Sequence, residues 1–401
     1  MTNNFNNLCP LLALLLTLSL AAAQIPQPTD APKPVECKSA RPYRGKPLHS
    51  APAAEVFAAV TNSLDGPFDT NTVIRLERAL AVALDATQAP AMTAAVGVPG
   101  QGLWTATSTG SMKPAGDLPR YFWWGSVGKA FTAVAVMQLI EEGRLKLNDP
   151  LARWYPEFPN AKVITIEHLL THTGGIYSFQ ADEELRKQPG YKPPETLIAV
   201  ARKHGNAFCP GEYWSYSNTG YVLLARIVEA IEGQPFHEVV DARIIRRLGL
   251  TNTIALAPRI KLAGLAAPHP KKPEEVEAGF DYTTPFGAAG IAGSAEDMVR
   301  FWQALLGGRL LKHQTVRGLF ERLYPMFDPG TYYGRGVMLY DFSNGKEVNS
   351  IWLGHSGGAP GSKAIVVYST KSRAFAAVAL NTDGSAEATA NLLLKALDAG
   401  P

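Results

Sequence analysis

Apolar positions along this chain follow two periods, and the change between them marks its organisation. Over 71–86, NTVIRLERALAVALDA, Val, Ile and Leu recur at helical spacing and predict a helix. The run AMTAAVGV, a turn over 99–102 and GLWTATSTG then predict a hairpin. Near the other end IWLGHSGG, KAIVVYST and RAFAAVALNT are three β-rich apolar runs separated by turn residues, and EATANLLLKALDA closes as a helix. Between the ends the pattern becomes helices and loops: SVGKAFTAVAVMQLIEEG, TIEHLLTH, PETLIAVARKH, NTGYVLLARIVEAIEG, FHEVVDARIIRRLG and AEDMVRFWQALLGG. The simplest architecture is an α/β (α+β) fold: an antiparallel sheet built from both chain ends (about 56–120 plus 285–397), flanked by terminal helices, with a mostly helical domain inserted at about 121–284. No repeat of fixed period is visible.

The first residues break this pattern. A polar start, an apolar run over 11–20 and the small residues Ala21, Ala22 and Ala23 predict a secretory signal peptide over 1–23, despite a start without Lys or Arg. The run is short for a bilayer, so the expectation is export to the periplasm or the medium with no stable membrane span. Residues 24–55, rich in proline and polar side chains, read as an extended tether. With 401 residues, 46% of them hydrophobic, the remainder has material for a large core. Lys+Arg 38 against Asp+Glu 35, with no long run of either sign, argues against a nucleic-acid partner. Cys9 leaves with the leader; Cys37 and Cys209 remain, and an oxidising compartment lets them pair, but sequence separation alone leaves pairing and two free thiols equally open.

Two serines compete as nucleophile. Ser356, in LGHSGGAPG, satisfies G-x-S-x-G, but a nucleophile elbow needs a helix after the serine and a histidine later still. The chain continues instead as strand, turn and strand, and His355 is its last histidine. Ser126 and Lys129, three apart at the start of an apolar helix, share one face where free N–H groups and the helix dipole converge. A lysine there deprotonates the hydroxyl if burial lowers its pKa, and Trp123, Trp124 and Phe131 are wall candidates. Any single S-x-x-K is equally a helix cap beside a solvent-facing lysine. Two further motifs change that balance. Tyr216-Ser217-Asn218, before another apolar helix, supplies a phenol, expected to ionise more easily beside an ammonium, and an amide; His355-Ser356-Gly357 lies on a late strand.

With these three motifs in this order, the sequence resembles the serine penicillin-recognising enzymes of class C β-lactamase type, which include D-alanyl-D-alanine carboxypeptidases, D-aminopeptidases and carboxylesterases. The resemblance covers about 56–397 and extends to ITIEHLLTHTGG and GAAGIAGSAEDMVRF. It implies a β-lactamase/transpeptidase-like fold, Ser126 as acyl-accepting nucleophile, Lys129 as its base and Tyr216 as partner in proton transfer. It also implies Asn218, His355, Ser356 and Gly357 as substrate contacts, and the N–H groups of Ser126 and Gly358 as oxyanion hole, with no cofactor and no metal. His355 stands where the lactamases usually carry lysine and Ser217 where they carry alanine; both variants resemble the peptidase and esterase branches. A neutral imidazole holds a carboxylate less strongly than an ammonium, while a protonated one compensates. Arg335 is a candidate second carboxylate anchor, set against packing or surface.

Other features have plainer readings. His168 and His172 are four apart, but the segment lacks the glutamate of H-E-x-x-H. The aromatic cluster at 121–124 reads as core beside the helix rather than a binding platform, and Glu141, Glu142, Arg144 and Lys146 as a solvated helix end. The sequence thus points to an exported serine hydrolase with a small peptide, ester or β-lactam substrate: a peptidase first, with peptides containing D-residues among the candidate substrates, then a β-lactamase or carboxylesterase. A non-catalytic receptor for penicillin or a wall fragment is the rival from another class. Such a receptor is free to lose the base or the tyrosine, and here both are present.

Overall fold

A computed structural model describes residues 34–110, 117–272, 280–343 and 350–399. The expected leader lies outside the described residues. Eight strands form the main antiparallel sheet among them: β1 (Ala91–Val98), β2 (Gly102–Thr109), β6 (Tyr324–Pro325), β7 (Thr331–Tyr333), β8 (Met338–Asp341), β9 (Ile351–Ala359), β10 (Ser362–Ser369) and β11 (Ala374–Leu380), in the order β2-β1-β11-β10-β9-β8-β7-β6. The strands β3 (Phe122–Trp123), β4 (Thr253–Ala255) and β5 (Ile291–Gly293) form a second small sheet, in the order β3-β5-β4. The chain ends meet in the sheet, where Met92 pairs with Leu380 and Gly97 with Phe375.

Period-two alternation explains how both faces are covered. Met92, Ala94, Val96, Ile365, Val367, Ala376 and Val378 face the terminal helices Thr70–Thr87 and Ala386–Asp398. Ala91, Ala95, Ala364, Val366, Phe375 and Ala377 face the helix Ala295–Leu306 and the inserted helical region. A sheet buried on both sides reads as near-continuous apolar runs, as β1 does with all eight residues buried. The helix Gly128–Glu141 is buried from Gly128 to Leu139 on every face and runs through the middle of the molecule. Trp124 is wholly buried, and its indole donates to the Gly293 carbonyl at 3.1 Å; Trp123 is core as well.

The stretch 34–55 is a strap rather than a free tether. Val35 N donates to Asn206 O at 3.1 Å, Arg41 N to Pro210 O and Arg44 N to Glu212 O at 2.8 Å, and a Cys37–Cys209 disulfide fixes it with Cα atoms 5.7 Å apart. Its backbone groups find partners on the surface of the helical region, which a proline-rich composition does not reveal. Two further departures are local. FHEVVDARIIRRLG is interrupted by a π-turn over Asp241–Ile245, and the helix Ile166–Leu170 ends before His172, whose φ is +60°.

Candidate active site

The site forms where the turn before the central helix meets the open edge of β9. Met338 of β8 pairs with Gly354, and beyond it β9 has no β8 partner. That free edge runs directly against Gly125 and Ser126, so close that side chains are excluded. A Cβ on Gly357 would lie 2.3 Å from Ser126 N, and one on Gly125, whose φ is +53°, would lie 2.5 Å from Gly358 N. The two N–H groups expected to form an oxyanion hole therefore lie on the two sides of one backbone junction. Ser126 keeps solvent contact and Gly358 is exposed.

Behind the serine, Lys129 Nζ sits 3.0 Å from Ser126 Oγ and donates to the Ala288 carbonyl at 2.9 Å. The side chain is fully buried, and burial alone holds its ammonium well below the usual lysine range. In its neutral form, which burial favours, the amine has one lone pair for the serine proton and hydrogens for the carbonyl. Among the described residues no carboxylate comes within ion-pair range of it. The Nζ lies 4.8 Å from the Tyr216 ring centroid and 5.5 Å from that of Tyr221, so the ammonium formed after proton transfer meets aromatic faces.

Burial pushes the Tyr216 phenol above its ordinary pKa, and the Ser126 hydroxyl is the neighbour that opposes this. The expectation of an easily ionised tyrosine is corrected: burial outweighs the one hydrogen bond, from Ser126, that favours a phenolate, and Tyr216 rests protonated. His355 is corrected too. It is fully buried on the same face of β9 as Leu353, with its pKa lowered to about 3 by burial and by Lys129. Its Nδ1 contacts the Ser356 carbonyl at 2.6 Å and must carry the proton, because a carbonyl only accepts; Nε2 lies 3.4 Å from the oxygen of Tyr333, whose own proton goes to Tyr221. Tyr333 O lies 3.2 Å from Tyr221 O, and Tyr221 donates to Leu170 O at 2.8 Å. A neutral, solvent-excluded ring in this network offers no charge to a substrate carboxylate.

Arg335 is not an anchor either. Its guanidinium is bidentate on Glu167, at 2.6 and 2.9 Å, and bonds the Gly318 carbonyl, so its donors are engaged in joining two parts of the fold. Asn218 begins the helix Asn218–Glu232; its Nδ2 donates to Gln180 Oε1, while its buried Oδ1 has no partner. Gln180 is exposed and comes from a turn held to that helix through Thr219, whose Oγ1 accepts from Phe179 N at 3.0 Å. His168 and His172 go separate ways. His168 closes a capping box with Thr165, and His172 accepts from Ser217 N at 3.2 Å, its ring 4.3 Å from that of Tyr216. Sequence reading missed Gln180, Tyr221, Tyr333 and the Ala288 carbonyl. GAAGIAGS was recognisable as a phrase, but a carbonyl has no side-chain signature.

A Beta-lactamase family profile matches residues 76–400. The chain belongs to that family. Among curated relatives, the penicillin-binding-protein candidate PbpX of Bacillus subtilis (strain 168) is 31% identical over 236 residues, covering 54% of this chain and 56% of its own. Esterase EstB of Burkholderia gladioli is 28% identical over 233 residues, covering 45% and 55%. The chain thus spans little more than half the length of these relatives. A D-stereospecific amidohydrolase from Streptomyces sp. superposes with a TM-score of 0.67 at 27% identity, over 84% of this chain and 100% of that one. D-amino acid amidase from Ochrobactrum anthropi SV3, at 23% identity and a TM-score of 0.70 over 80% and 98%, shares the fold. These likenesses agree with the β-lactamase/transpeptidase-like architecture and with a family of serine hydrolases.

Proposed function

We propose that this protein is an exported serine hydrolase that works through an acyl-enzyme on Ser126, with amides of peptides, including those with D-residues, as its substrates. The observation that carries this reading is the 3.0 Å contact between Ser126 Oγ and the buried Nζ of Lys129. Ser126 Oγ attacks the substrate carbonyl carbon as Lys129 takes its proton, and the oxyanion collects on the N–H groups of Ser126 and Gly358. Collapse expels the amine, which needs a proton to leave; the Tyr216 hydroxyl, kept protonated by burial, hands one over and recovers it from Lys129. Water then cleaves the ester and releases the acid. An amine leaving group is the case that most requires a protonated phenol, and this favours amides over esters. Similarity to a D-stereospecific amidohydrolase supports the D-residue. The neutral His355 weighs against β-lactams, whose carboxylate would need a cation.

Export to the periplasm or the medium is supported by the Cys37–Cys209 disulfide, since such bonds persist in oxidising compartments. The substrate is tested with a panel: di- and tripeptides ending in D- or L-alanine, a D-amino acid amide, a p-nitrophenyl ester and a chromogenic cephalosporin. Fastest turnover on a D-containing amide or peptide is the expected outcome. Rapid hydrolysis confined to the cephalosporin would overturn the amide assignment.

A further inference from the structure

The loop that carries Tyr216 is fastened, rung by rung, to the turn that follows the helix Ile166–Leu170. Ala207 N donates to Gly175 O and Gly211 N to Thr173 O, each at 2.8 Å, and Ser215 N donates to His172 O at 3.0 Å. The last rung is different in kind. Ser217 N donates at 3.2 Å to the ring of His172, at Nδ1, rather than to a carbonyl. One residue thus takes the N–H groups on both sides of Tyr216. In doing so His172 holds a φ of +60°, a left-handed backbone that a residue with a β-carbon rarely adopts and that persists where the surroundings demand it.

The state of the ring follows from that bond. A backbone N–H only donates, so Nδ1 carries the lone pair, Nε2 carries the hydrogen, and the imidazole is neutral. His172 is 2% exposed, and burial, with Lys129 and His355 acting in the same direction, holds its pKa well down. Its Nε2 has no hydrogen-bond partner among the described residues, so the ring's one hydrogen bond among them is the one to Tyr216's neighbour. Other rings surround Tyr216: centroids lie at 4.3 Å for His172, 5.9 Å for Tyr333 and 6.2 Å for Phe327. Ring packing tolerates sliding, whereas directional hydrogen bonds on either side fix where the Tyr216 backbone stands. The Tyr216 ring is in turn 4.8 Å from Lys129 Nζ, which is 3.0 Å from Ser126 Oγ. A shift of the loop at His172 is therefore felt by the phenol beside the nucleophile.

We propose that His172 is the positioning residue for Tyr216: its carbonyl and its neutral ring together hold the backbone of residues 215–217 so that the phenol is aimed at the leaving-group nitrogen, and its loss selectively impairs substrates whose leaving group needs a proton. This rests on the acyl-enzyme reading above. An amine leaves as it gains a proton: the Tyr216 O–H bond breaks, an N–H bond forms, and Lys129 returns the proton it took from Ser126 to the phenolate oxygen, so none is gained or lost overall. A p-nitrophenolate is stable as an anion and departs without one. Misplacing the phenol by about an ångström is enough to slow that transfer by roughly 10²-fold while attack by Ser126 continues.

The test measures kcat and KM for the p-nitroanilide and the p-nitrophenyl ester of alanine, in both enantiomers, so that the acyl group is shared and only the leaving group differs; labelling by a fluorophosphonate is followed by intact mass in parallel. His172→Phe keeps a ring against Tyr216 and removes the acceptor from Ser217 N. It is expected to lower the anilide-to-ester ratio of kcat/KM by about 10- to 100-fold, through kcat rather than KM. His172→Asn puts an amide oxygen near the Nδ1 position and suits a left-handed backbone, so it restores most of the ratio; His172→Gln, whose amide reaches the Nε2 position, does not. If the Phe variant fails to fold, the Asn and Gln variants carry the comparison. An unchanged ratio, whether or not both rates fall, or an Asn variant no better than the Gln variant, overturns the role of His172 while the acyl-enzyme reading survives. A wild type that forms no fluorophosphonate adduct, or that turns over neither anilide, overturns the reading as an amide-cleaving acyl-enzyme and this inference with it.

Discussion

At the scale of single residues the chemistry depends on Lys129 being buried without a counter-charge. Burial holds its ammonium well below the usual 10.5, so the base form persists to lower pH than in a solvated lysine and is lost as pH falls through the depressed value. The pH profile of kcat/KM is accordingly expected to show an acid limb of one proton, with no fall near pH 10 from Tyr216, whose phenol is pushed above that value. A profile rising toward 10.5 would mean a solvated lysine. Lys129→Ala should reduce kcat by about 10²–10⁴. Gly357→Ala drives a methyl group to 2.3 Å from Ser126 N and should reduce kcat/KM by roughly 10²–10³ through the oxyanion hole, measured with a p-nitrophenyl ester while the circular dichroism spectrum stays native. Ser126, Lys129 and Tyr216 were legible because motif spacing on a helix start fixes which side chains can meet. What sequence could not give was the charge state of Tyr216 and His355, which burial by distant segments decides.

Among the elements, the strap and the loop it holds are the clearest case of structure hidden from pattern. Cys209 lies in the loop leading to Tyr216, and Arg41 and Arg44 add backbone hydrogen bonds to the same loop. Closing a separation of 172 residues, the disulfide is expected to stabilise the fold by about 2–5 kcal/mol, so the Cys37→Ser, Cys209→Ser pair should melt several degrees lower in a calorimetric scan. An unchanged melting temperature would mean that the strap's hydrogen bonds suffice. Arg335→Ala should cost about 3 kcal/mol in urea unfolding, since it strands Glu167, while the preference among carboxylate-bearing and neutral substrates stays as in wild type. The five long strands and the longer helices were readable from period alone, whereas the short helices Ala54–Ala58, Glu183–Lys187 and His313–Leu319 were not. The short strands β6, β7 and β8 were not, because two to four residues carry too few positions for alternation to register.

For the whole molecule, the sheet's two faces and the helix Gly128–Glu141 bury the very groups whose neutrality the site requires, and this ties stability to pH. His355, at about 3 in the fold against 6.5 unfolded, contributes stability that is complete above pH 6.5 and lost as pH falls toward 3. His172, also pushed well down by burial, adds to the same trend. Unfolding free energies from urea titrations should decline from pH 6.5 to 4 with a slope of up to about 1.4 kcal/mol per pH unit for each histidine, and His355→Gln should flatten it. A midpoint independent of pH in that window would mean that these rings are already charged in the fold. Assembly of the sheet from both chain ends was visible in the sequence as strand-rich termini around a helical middle, whereas the strap's docking depends on surfaces formed only after folding. The most direct test of the central claim is intact-mass and peptide mapping of the adduct formed with a fluorophosphonate by wild type, Ser126→Ala and Ser356→Ala. The adduct is expected on the peptide containing Ser126, absent from Ser126→Ala and retained in Ser356→Ala; an adduct that survives loss of Ser126 and disappears with Ser356 would contradict the account.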